Sequence, residues 1–304
     1  MNKFLKKISS TYRTMGIGGL FAKTFAYFTN WRVRREDIIW FICRLFKDQY
    51  GPKTRVHGFK CYVRSQDPGI SRELAVYHTH EPSATQLFKK YIQEGMYEID
   101  IGSNLGYYAL LASKCTGPRG KVIAIEPEPN NFDLLKINVE TNRIENVTVL
   151  PYAIGDENGT SKFFVTEASN TNSLLQPALG NVMASIHVQV RKLDTLYEEL
   201  NIPRIDLVRM DIEGGEIIAI KGMSRVLKQY KPMLLIELHC DTAGVDNIKK
   251  LLKSLVSYGY TAQYLVDRDR DFAWKTEECV LKLASMDQLL EILGDYRVVT
   301  VLFT

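Results

Sequence analysis

Two acids at the ends of short apolar runs, Asp100 and Glu126, are the residues best suited to hold a charged ligand. Glu126 directly follows the run Lys121–Ile125 and lies 26 residues after Asp100. In an open α/β sheet, an acid at this position can accept hydrogen bonds from both hydroxyls of a ribose. Asp100 would repel a phosphate but attract an amino group. The pair therefore suits a cationic nucleoside, and S-adenosylmethionine, a sulfonium amino acid nucleoside, meets both requirements.

The turn that begins at Asp100 supports this interpretation. It reads DIGSNLG and leads into a helix predicted over Leu105–Ser113. Gly102 and Gly106 lie where the backbone needs a positive φ or no Cβ, so that a ligand can lie against it. The dinucleotide fingerprint G-x-G-x-x-G has a third glycine and presents a helix N-terminus to a pyrophosphate. An NAD-linked dehydrogenase is therefore disfavoured.

Two later apolar runs also end in polar residues. Ile205–Met210 is followed by Asp211 and Glu213, and Pro232–Leu238 is followed by His239. The carboxyl ends of adjacent parallel strands meet at one crevice, so we expect these three side chains near the cofactor.

Those side chains suggest two chemistries. His239 is the candidate general base, since histidine ordinarily titrates near neutral pH, with Asp211 orienting it or the acceptor. Alternatively, Asp211, Glu213 and His239 hold a divalent metal ion that acidifies a hydroxyl, or His239 merely bonds to the backbone. His78 and His80 are too few for a metal site, and we expect them at the mouth of the pocket.

Two further stretches are candidates for ligand contact. After the predicted strand Val147–Leu150, the backbone of Ala153 and the carboxylate of Asp156 could meet an adenine edge, although this segment could also be a simple hairpin turn. The polar stretch Thr166–Val182 reads as a long loop, and loops of this length are often functional. We hypothesise that Asn170–Ser173 contacts the substrate.

The composition is that of a globular protein. Of its 304 residues, 45% are hydrophobic and 24% are charged. The longest apolar run, Ile38–Cys43, is far shorter than the roughly 20 residues of a membrane span. Five cysteines lie far apart without a C-x-x-C pair, which disfavours a zinc cage or a disulfide framework. No secretory signal is evident, and we expect a cytoplasmic protein.

The charge is uneven and predicts two parts. Residues 1–60 carry 13 Lys and Arg against 3 acids and read as a basic, aromatic-rich helical segment, whereas residues 61–304 form the catalytic domain. The segment contains three predicted helices, at Lys3–Arg13, Gly19–Thr29 and Arg34–Lys47. It either caps the catalytic domain or brings residues 1–50 to an anionic membrane surface or a phosphate-bearing substrate. No nucleic-acid motif is present, so we expect no nucleic-acid partner.

Three motifs in order, IDIGSNLGYYAL, AIEPEPNNFDLLKINV and RMDIEGGEIIAIKGM, are followed by LLIELH. Together they resemble the FkbM family of S-adenosylmethionine-dependent methyltransferases over about residues 95–241. Ser103 stands where the family commonly has Ala. The resemblance implies a class I methyltransferase fold: a Rossmann-like, seven-stranded, mostly parallel sheet with helices on both faces, here with an N-terminal helical extension.

The resemblance also implies methyl transfer to an oxygen, often a hydroxyl of a sugar or glycan, although another small-molecule acceptor fits equally. Asp211, Glu213 and His239 match the family's acidic strand end and its E-x-H. Two other functions stay open, a nucleic-acid methyltransferase anchored by the basic N-terminus and a non-catalytic nucleotide-binding protein. By position, the cofactor would contact Asp100, Gly102, Ser103, Asn104 and Gly106 with its methionyl end, Glu126 with its ribose, and Ala153 and Asp156 with its adenine.

Overall fold

The computed structural model describes residues 35–45, 47, 48, 50–176, 182–272 and 279–304. The chain divides into two compact units, residues 1–45 and 46–304. In the first unit the described element is helix α1 (Arg35–Leu45), in agreement with the third predicted helix. The other two predicted helices, before residue 30, lie outside the described residues.

A small antiparallel sheet opens the second unit. It consists of β1 (Lys47–Asp48), β2 (Gly51–Val56) and β3 (Phe59–Tyr62). The chain reverses at Gly58, whose φ is +94°. Asn138 accepts a hydrogen bond from the backbone N–H of Tyr62 at 2.7 Å. This sheet therefore packs as part of the second unit, and the division of the chain lies before the predicted boundary at residue 60.

The remaining strands build two further sheets. In chain order they are β4 (Tyr97–Ile101), β5 (Lys121–Ile125), β6 (Val147–Leu150), β7 (Ala153–Ile154), β8 (Gly159–Thr166), β9 (Val182–Arg191), β10 (Leu207–Met210), β11 (Met233–His239), β12 (Ala262–Asp267), β13 (Val280–Lys282) and β14 (Val298–Phe303). Strands β7, β9 and β8 form a three-stranded sheet. The others form one eight-stranded sheet in the order β13-β12-β14-β11-β10-β4-β5-β6.

The large sheet is parallel from β11 to β6 and antiparallel at β14, β12 and β13. The resemblance implied seven strands, and the sheet has eight, with the short β13 at one edge. All residues of β10 and β14 are buried, as expected of strands covered on both faces. The strand order reverses between β4 and β10, which creates a crevice at their carboxyl ends.

Ten helices of the second unit are described. They are α2 (Ile70–Tyr77), α3 (Pro82–Tyr91), α4 (Tyr107–Thr116), α5 (Pro129–Thr141), α6 (Leu193–Glu199), α7 (Glu216–Gly222), α8 (Ser224–Gln229), α9 (Cys240–Ala243), α10 (Val245–Ser257) and α11 (Met286–Ile292). Helices α7 and α8 follow each other directly and are separated at Met223. None of the helices in the described part of the chain has the length and apolar character needed to cross a bilayer.

Candidate active site

A cavity of about 750 Å³, counted to its open mouth, lies at the carboxyl ends of β4, β5 and β10. On one side it continues to the start of β7, and the short 3₁₀ helix Ser169–Thr171 and the residues after it form part of its wall. The predicted site residues that line it are Gly102, Ser103, Asn104, Glu126, Ala153, Asp211 and Glu213.

Four predicted site residues do not line this cavity: Asp100, Gly106, Asp156 and His239. Asp100 has no exposed surface. Gly106 caps α4 with a φ of +100° and faces the side chain of Leu135. His239 lies behind the lining, with 2% of its surface exposed. These four residues therefore lie outside the lining of the cavity where the cofactor was expected.

The turn after β4 brings the ends of β4 and β10 together. Gly102 has a φ of +83°, and a Cβ there would lie 1.9 Å from the carbonyl oxygen of Asp211. Only glycine can fill this position, because it combines the left-handed region with a backbone contact. Asn104 follows with a φ of +50°. Its backbone N–H thereby points at Glu126 and donates to Oε2 over 2.8 Å.

Glu126 is held by backbone donors while it faces the cavity. The N–H of Asn104 binds Oε2, and the N–H of Glu128 donates to Oε1 at 3.0 Å. Only 4% of its surface is exposed. Burial raises the pKa of Glu126 to about 7, against the opposing effect of these N–H groups. A ligand that donates hydrogen bonds to this carboxylate would favour its charged form.

Arg209 is a cavity residue that our sequence reasoning missed. Its Nη1 lies 3.3 Å from Asp100 Oδ1, and its Nη2 lies 2.8 Å from Asp211 Oδ2. The guanidinium carbon lies 4.3 Å from the ring centroid of Tyr108. Asp100 is therefore neutralised within the protein and is not available to a ligand. The signal in the sequence was an arginine inside the otherwise apolar run LVRM, residues 207–210.

His239 is surrounded by carboxylates. Its Nδ1 lies 2.9 Å from Glu216 Oε1, and its Nε2 lies 3.2 Å from Glu213 Oε2 and 3.8 Å from Asp211 Oδ1. Burial by itself would lower the pKa of His239, but Glu213 and Glu216 outweigh it and raise the pKa well above the usual range. His239 thus holds its proton at neutral pH. The expectation of a pKa near neutrality, on which its role as base depended, is wrong.

Asp211 is better placed to accept a proton. It lines the cavity, and its Oδ1 is buried without a hydrogen-bond partner among the described residues. Burial raises the pKa of Asp211 to about 6, although the charge of Arg209 opposes the rise. A carboxylate with this pKa is ionised at neutral pH and is basic enough to take a proton.

The cluster that could hold a metal ion differs from the predicted set by one residue. Asp211, Glu237 and His239 each offer a ligand atom, and these atoms lie within 4.8 Å of one another. Glu237 thus replaces the predicted Glu213. An arginine already pairs with each carboxylate, at 2.8 Å and 3.0 Å. An ion would also have to displace the proton of His239 Nε2.

His80 lines the cavity, whereas His78 lies away from it and within 2.7 Å of Thr54 Oγ1. Both ring nitrogens of His80 contact carboxylates, those of Glu73 and Glu81. Burial opposes protonation, but the two acids outweigh it and raise the pKa of His80 to about 10. His80 is therefore a charged part of the wall whose nitrogens are already engaged.

This sheet order, with a glycine turn after β4 and an acid after β5, defines a class I methyltransferase, which uses S-adenosylmethionine. The model of the FkbM methyltransferase domain matches residues 100–262. Because this match covers 163 of the 304 residues, the chain belongs to the FkbM methyltransferase family.

Among curated proteins, the chain is similar to the hexuronic acid methyltransferase AglP of Haloferax volcanii. The two are 28% identical over 177 residues, which cover 57% of this chain and 67% of that protein. It is also 25% identical over 175 residues to methyltransferase 1 of Beauveria bassiana, covering 51% of this chain and 70% of that protein.

Among solved structures, the FkbM methyltransferase of Methylobacillus flagellatus aligns with a TM-score of 0.42 and 16% identity. The alignment covers 77% of this chain and 53% of that one, so the chain spans about half of its length. Fibrillarin of Aeropyrum pernix, solved with bound S-adenosylmethionine, aligns with a TM-score of 0.43 and 15% identity, over 73% of this chain and 74% of that one.

Proposed function

We propose that this protein transfers the methyl group of S-adenosylmethionine to a hydroxyl oxygen of a sugar, a glycan or another small molecule. One observation carries the proposal. In a chain of the FkbM family, a single cavity joins Glu126, which can bind a ribose, to Asp211, which can accept a proton. The name of the relative from Haloferax volcanii supports a sugar acceptor.

The donor would lie across the strand ends. Its ribose hydroxyls would donate to Glu126, and its methionyl part would rest on the turn Gly102–Asn104, where backbone can approach closely. Next to Ala153 the cavity wall is apolar, formed by Phe163 and Leu174, and would suit the flat adenine. Asp156 has no place in this proposal, because it does not line the cavity.

A neutral acceptor fits the charges better than an anionic one. Three carboxylates line the cavity, those of Glu126, Asp211 and Glu213. The two cations of the wall, Arg209 and His80, are already paired with carboxylates of the protein. An acceptor carboxylate that approached the methyl group beside Asp211 would meet a like charge in a partly desolvated site, which is unfavourable. A hydroxyl would instead donate to Asp211. This difference favours methyl ether formation over esterification.

The reaction then needs alignment and one proton acceptor. The acceptor oxygen attacks the methyl carbon, the carbon–sulfur bond breaks, and S-adenosylhomocysteine leaves with the bonding electrons. Positioning the two reactants can supply much of the acceleration. The carboxylate of Asp211 takes the hydroxyl proton, and the protonated ring of His239 stays beside Asp211 to fix its orientation. No step in this proposal requires a metal ion.

Calorimetric titration of the protein with S-adenosylmethionine and with NAD tests the donor. We expect the sulfonium nucleoside to bind and NAD not to bind, with Glu126→Ala weakening the former by at least about 10-fold, since charge-assisted hydrogen bonds contribute about 1.5–3 kcal/mol. Binding of NAD without binding of S-adenosylmethionine would refute the proposal.

The products distinguish the two kinds of acceptor. Neutral sugars and hexuronic acids would be incubated with methyl-labelled donor, and labelled products would then be treated with mild alkali. Methyl ethers resist alkali, whereas methyl esters release methanol. We expect alkali-stable label, and alkali-labile label on a hexuronic acid would show that the acceptor is a carboxylate.

We also propose that the N-terminal part associates with anionic membranes. Support comes from the charge of residues 1–60 and from the face of helix α1, where apolar side chains recur at helical spacing. Their exposed fractions are 37% for Ile38, 58% for Phe41, 46% for Ile42 and 63% for Leu45. The full chain and a Phe41→Ser/Leu45→Ser variant would be floated with vesicles containing anionic lipid. The control is Leu200→Ser, which changes a side chain of the other unit that is 38% exposed. Equal flotation of all three proteins would refute this proposal.

A further inference from the structure

Asp67 is a buried acid outside the region that the family model matches, and it is connected to the cavity through hydrogen bonds to Ser169. Asp67 precedes α2 and is 3% exposed. Its carboxylate accepts hydrogen bonds from the backbone N–H groups of Gly69 and Ser71, at 2.9 Å and 3.1 Å. It also accepts two from Ser169, which lies 102 residues later: one from the N–H at 3.1 Å and one from Oγ at 2.8 Å.

Ser169 in turn holds two residues of the nucleoside site. Its carbonyl oxygen accepts from Asn104 Nδ2 at 3.0 Å and from Asn131 Nδ2 at 3.4 Å. Asn104 is the residue whose backbone N–H binds Glu126. A continuous chain of hydrogen bonds therefore runs from Asp67 through Ser169 and Asn104 to the carboxylate assigned to the ribose.

The segment that contains Ser169 is also fixed at its other end. Ser173 is fully buried, and its Oγ donates to the carbonyl oxygen of Glu213 at 2.8 Å. Ser173 also exchanges two backbone hydrogen bonds with Phe164. Between these two anchors, Asn170 and Asn172 line the cavity. We call residues 169–173 the strap, because they join the two ends of the cavity wall.

We propose that Asp67 is a positioning residue for the methyl donor. Its carboxylate holds the strap in place and thereby sets the orientation of Asn104 and Glu126. The inference rests on the assignment of Glu126 to the ribose. Asp67 does not line the cavity, so it acts through Ser169. Without its carboxylate, the N–H and hydroxyl of Ser169 lose their acceptor, and ordering the strap becomes part of the cost of binding.

Calorimetric titration of the full chain with S-adenosylmethionine tests this role of Asp67. We expect Asp67→Ala to raise the Kd about 10-fold, because it removes two hydrogen bonds to the strap at about 0.5–1.5 kcal/mol each. Asp67→Asn should fall between wild type and Asp67→Ala, since its Oδ1 can still accept from the N–H of Ser169. Ser169→Ala removes only the hydroxyl and keeps the fold testable if Asp67→Ala is too unstable.

A second buried aspartate provides the matched control. Asp194 is 6% exposed and accepts from the backbone N–H groups of Arg225 and Val226 at 2.9–3.0 Å, but it does not line the cavity. Asp194→Ala should lower the urea midpoint and leave the Kd within about twofold. An equal rise in Kd for both Ala variants would show a general loss of stability and overturn the inference.

Amide hydrogen exchange provides a readout that does not depend on ligand binding. In the protein without ligand, peptides covering the strap should exchange faster in Asp67→Ala than in Asp194→Ala or wild type. Unchanged exchange there, or an unchanged Kd for S-adenosylmethionine, would refute this role of Asp67 while leaving the proposed function intact. If wild type does not bind S-adenosylmethionine, the proposed function fails, and the exchange experiment still decides whether Asp67 holds the strap.

Discussion

Replacing Glu126 with Gln should stabilise the protein at pH 8 while weakening donor binding. The pKa of Glu126 rises from its usual 4.5 to about 7 in the folded chain. Because its pKa is higher in the folded state, the folded protein binds this proton more tightly than the unfolded chain does. The stabilisation from that proton is complete below about pH 4.5 and is lost as the pH rises through about 7. At about 1.4 kcal/mol per pKa unit, the loss amounts to about 3 kcal/mol.

Gln keeps the shape but carries no charge, so this pH-dependent loss disappears. One cost offsets the gain. Oε1 and Oε2 of Glu126 each accept a backbone N–H, and the amide of Gln can accept only one of the two, which costs about 1–2 kcal/mol. At pH 8 we therefore expect the variant to be more stable by about 1–2 kcal/mol. Below pH 5 it should be less stable than wild type.

Urea unfolding of both proteins at pH 5, 6, 7 and 8 measures this difference. Other buried acids affect both proteins equally, so the difference isolates Glu126. Titration with S-adenosylmethionine at pH 8 should show a Kd about 10-fold higher in the variant, because the ribose hydroxyls lose a charged acceptor. A stability difference that stays constant from pH 5 to 8 would refute the reasoning from burial, whatever its sign.

Three further predictions concern the chemistry and the turn. Asp211→Asn should lower kcat by about 100- to 10,000-fold. In wild type, kcat should rise with pH through about 6 as Asp211 loses its proton. The assay measures release of S-adenosylhomocysteine, and the same rise in Asp211→Asn would exclude Asp211 as the base. Dialysis against EDTA should leave kcat within about twofold, since arginines already balance Asp211 and Glu237, whereas loss of activity restored by Mn²⁺ would establish a metal site. Gly102→Ala should abolish donor binding and lower the Tm far more than the control variant Gly95→Ala. The two glycines share a φ near +80°, but only at Gly102 would a Cβ meet a backbone atom, at 1.9 Å. Gly95→Ala should cost only about 1–2 kcal/mol, and equal Tm values for the two variants would contradict the steric argument.

Local patterns in the sequence were enough to locate the strands and the ligand turn. The run near whose end Asp100 lies is strand β4, and the run Lys121–Ile125 before Glu126 is strand β5. This succeeded because a buried parallel strand reads as a short apolar run, and because a positive φ after β4 demands glycine. The order of the motifs then fixed the family and hence the sheet order.

Contacts between distant parts of the chain decided the roles of the charged residues. Arg209 lies 109 residues from Asp100, and their ion pair exists only because β10 is the neighbour of β4. That pair withdraws Asp100 from the ligand. In the same way, Glu213 and Glu216, which follow β10, approach His239 at the end of β11 and keep it protonated.

By itself, the sequence determined the fold class and the position of the cavity at the strand ends, and it predicted that Glu126 binds the ribose. The tertiary structure alone decided which strand-end side chains face the cavity, which of them carry a proton, and that Asp67 reaches the nucleoside site through Ser169. The reason is physical. Strand and turn formation depends on neighbouring residues, whereas pKa and orientation depend on burial and on charges brought together by folding.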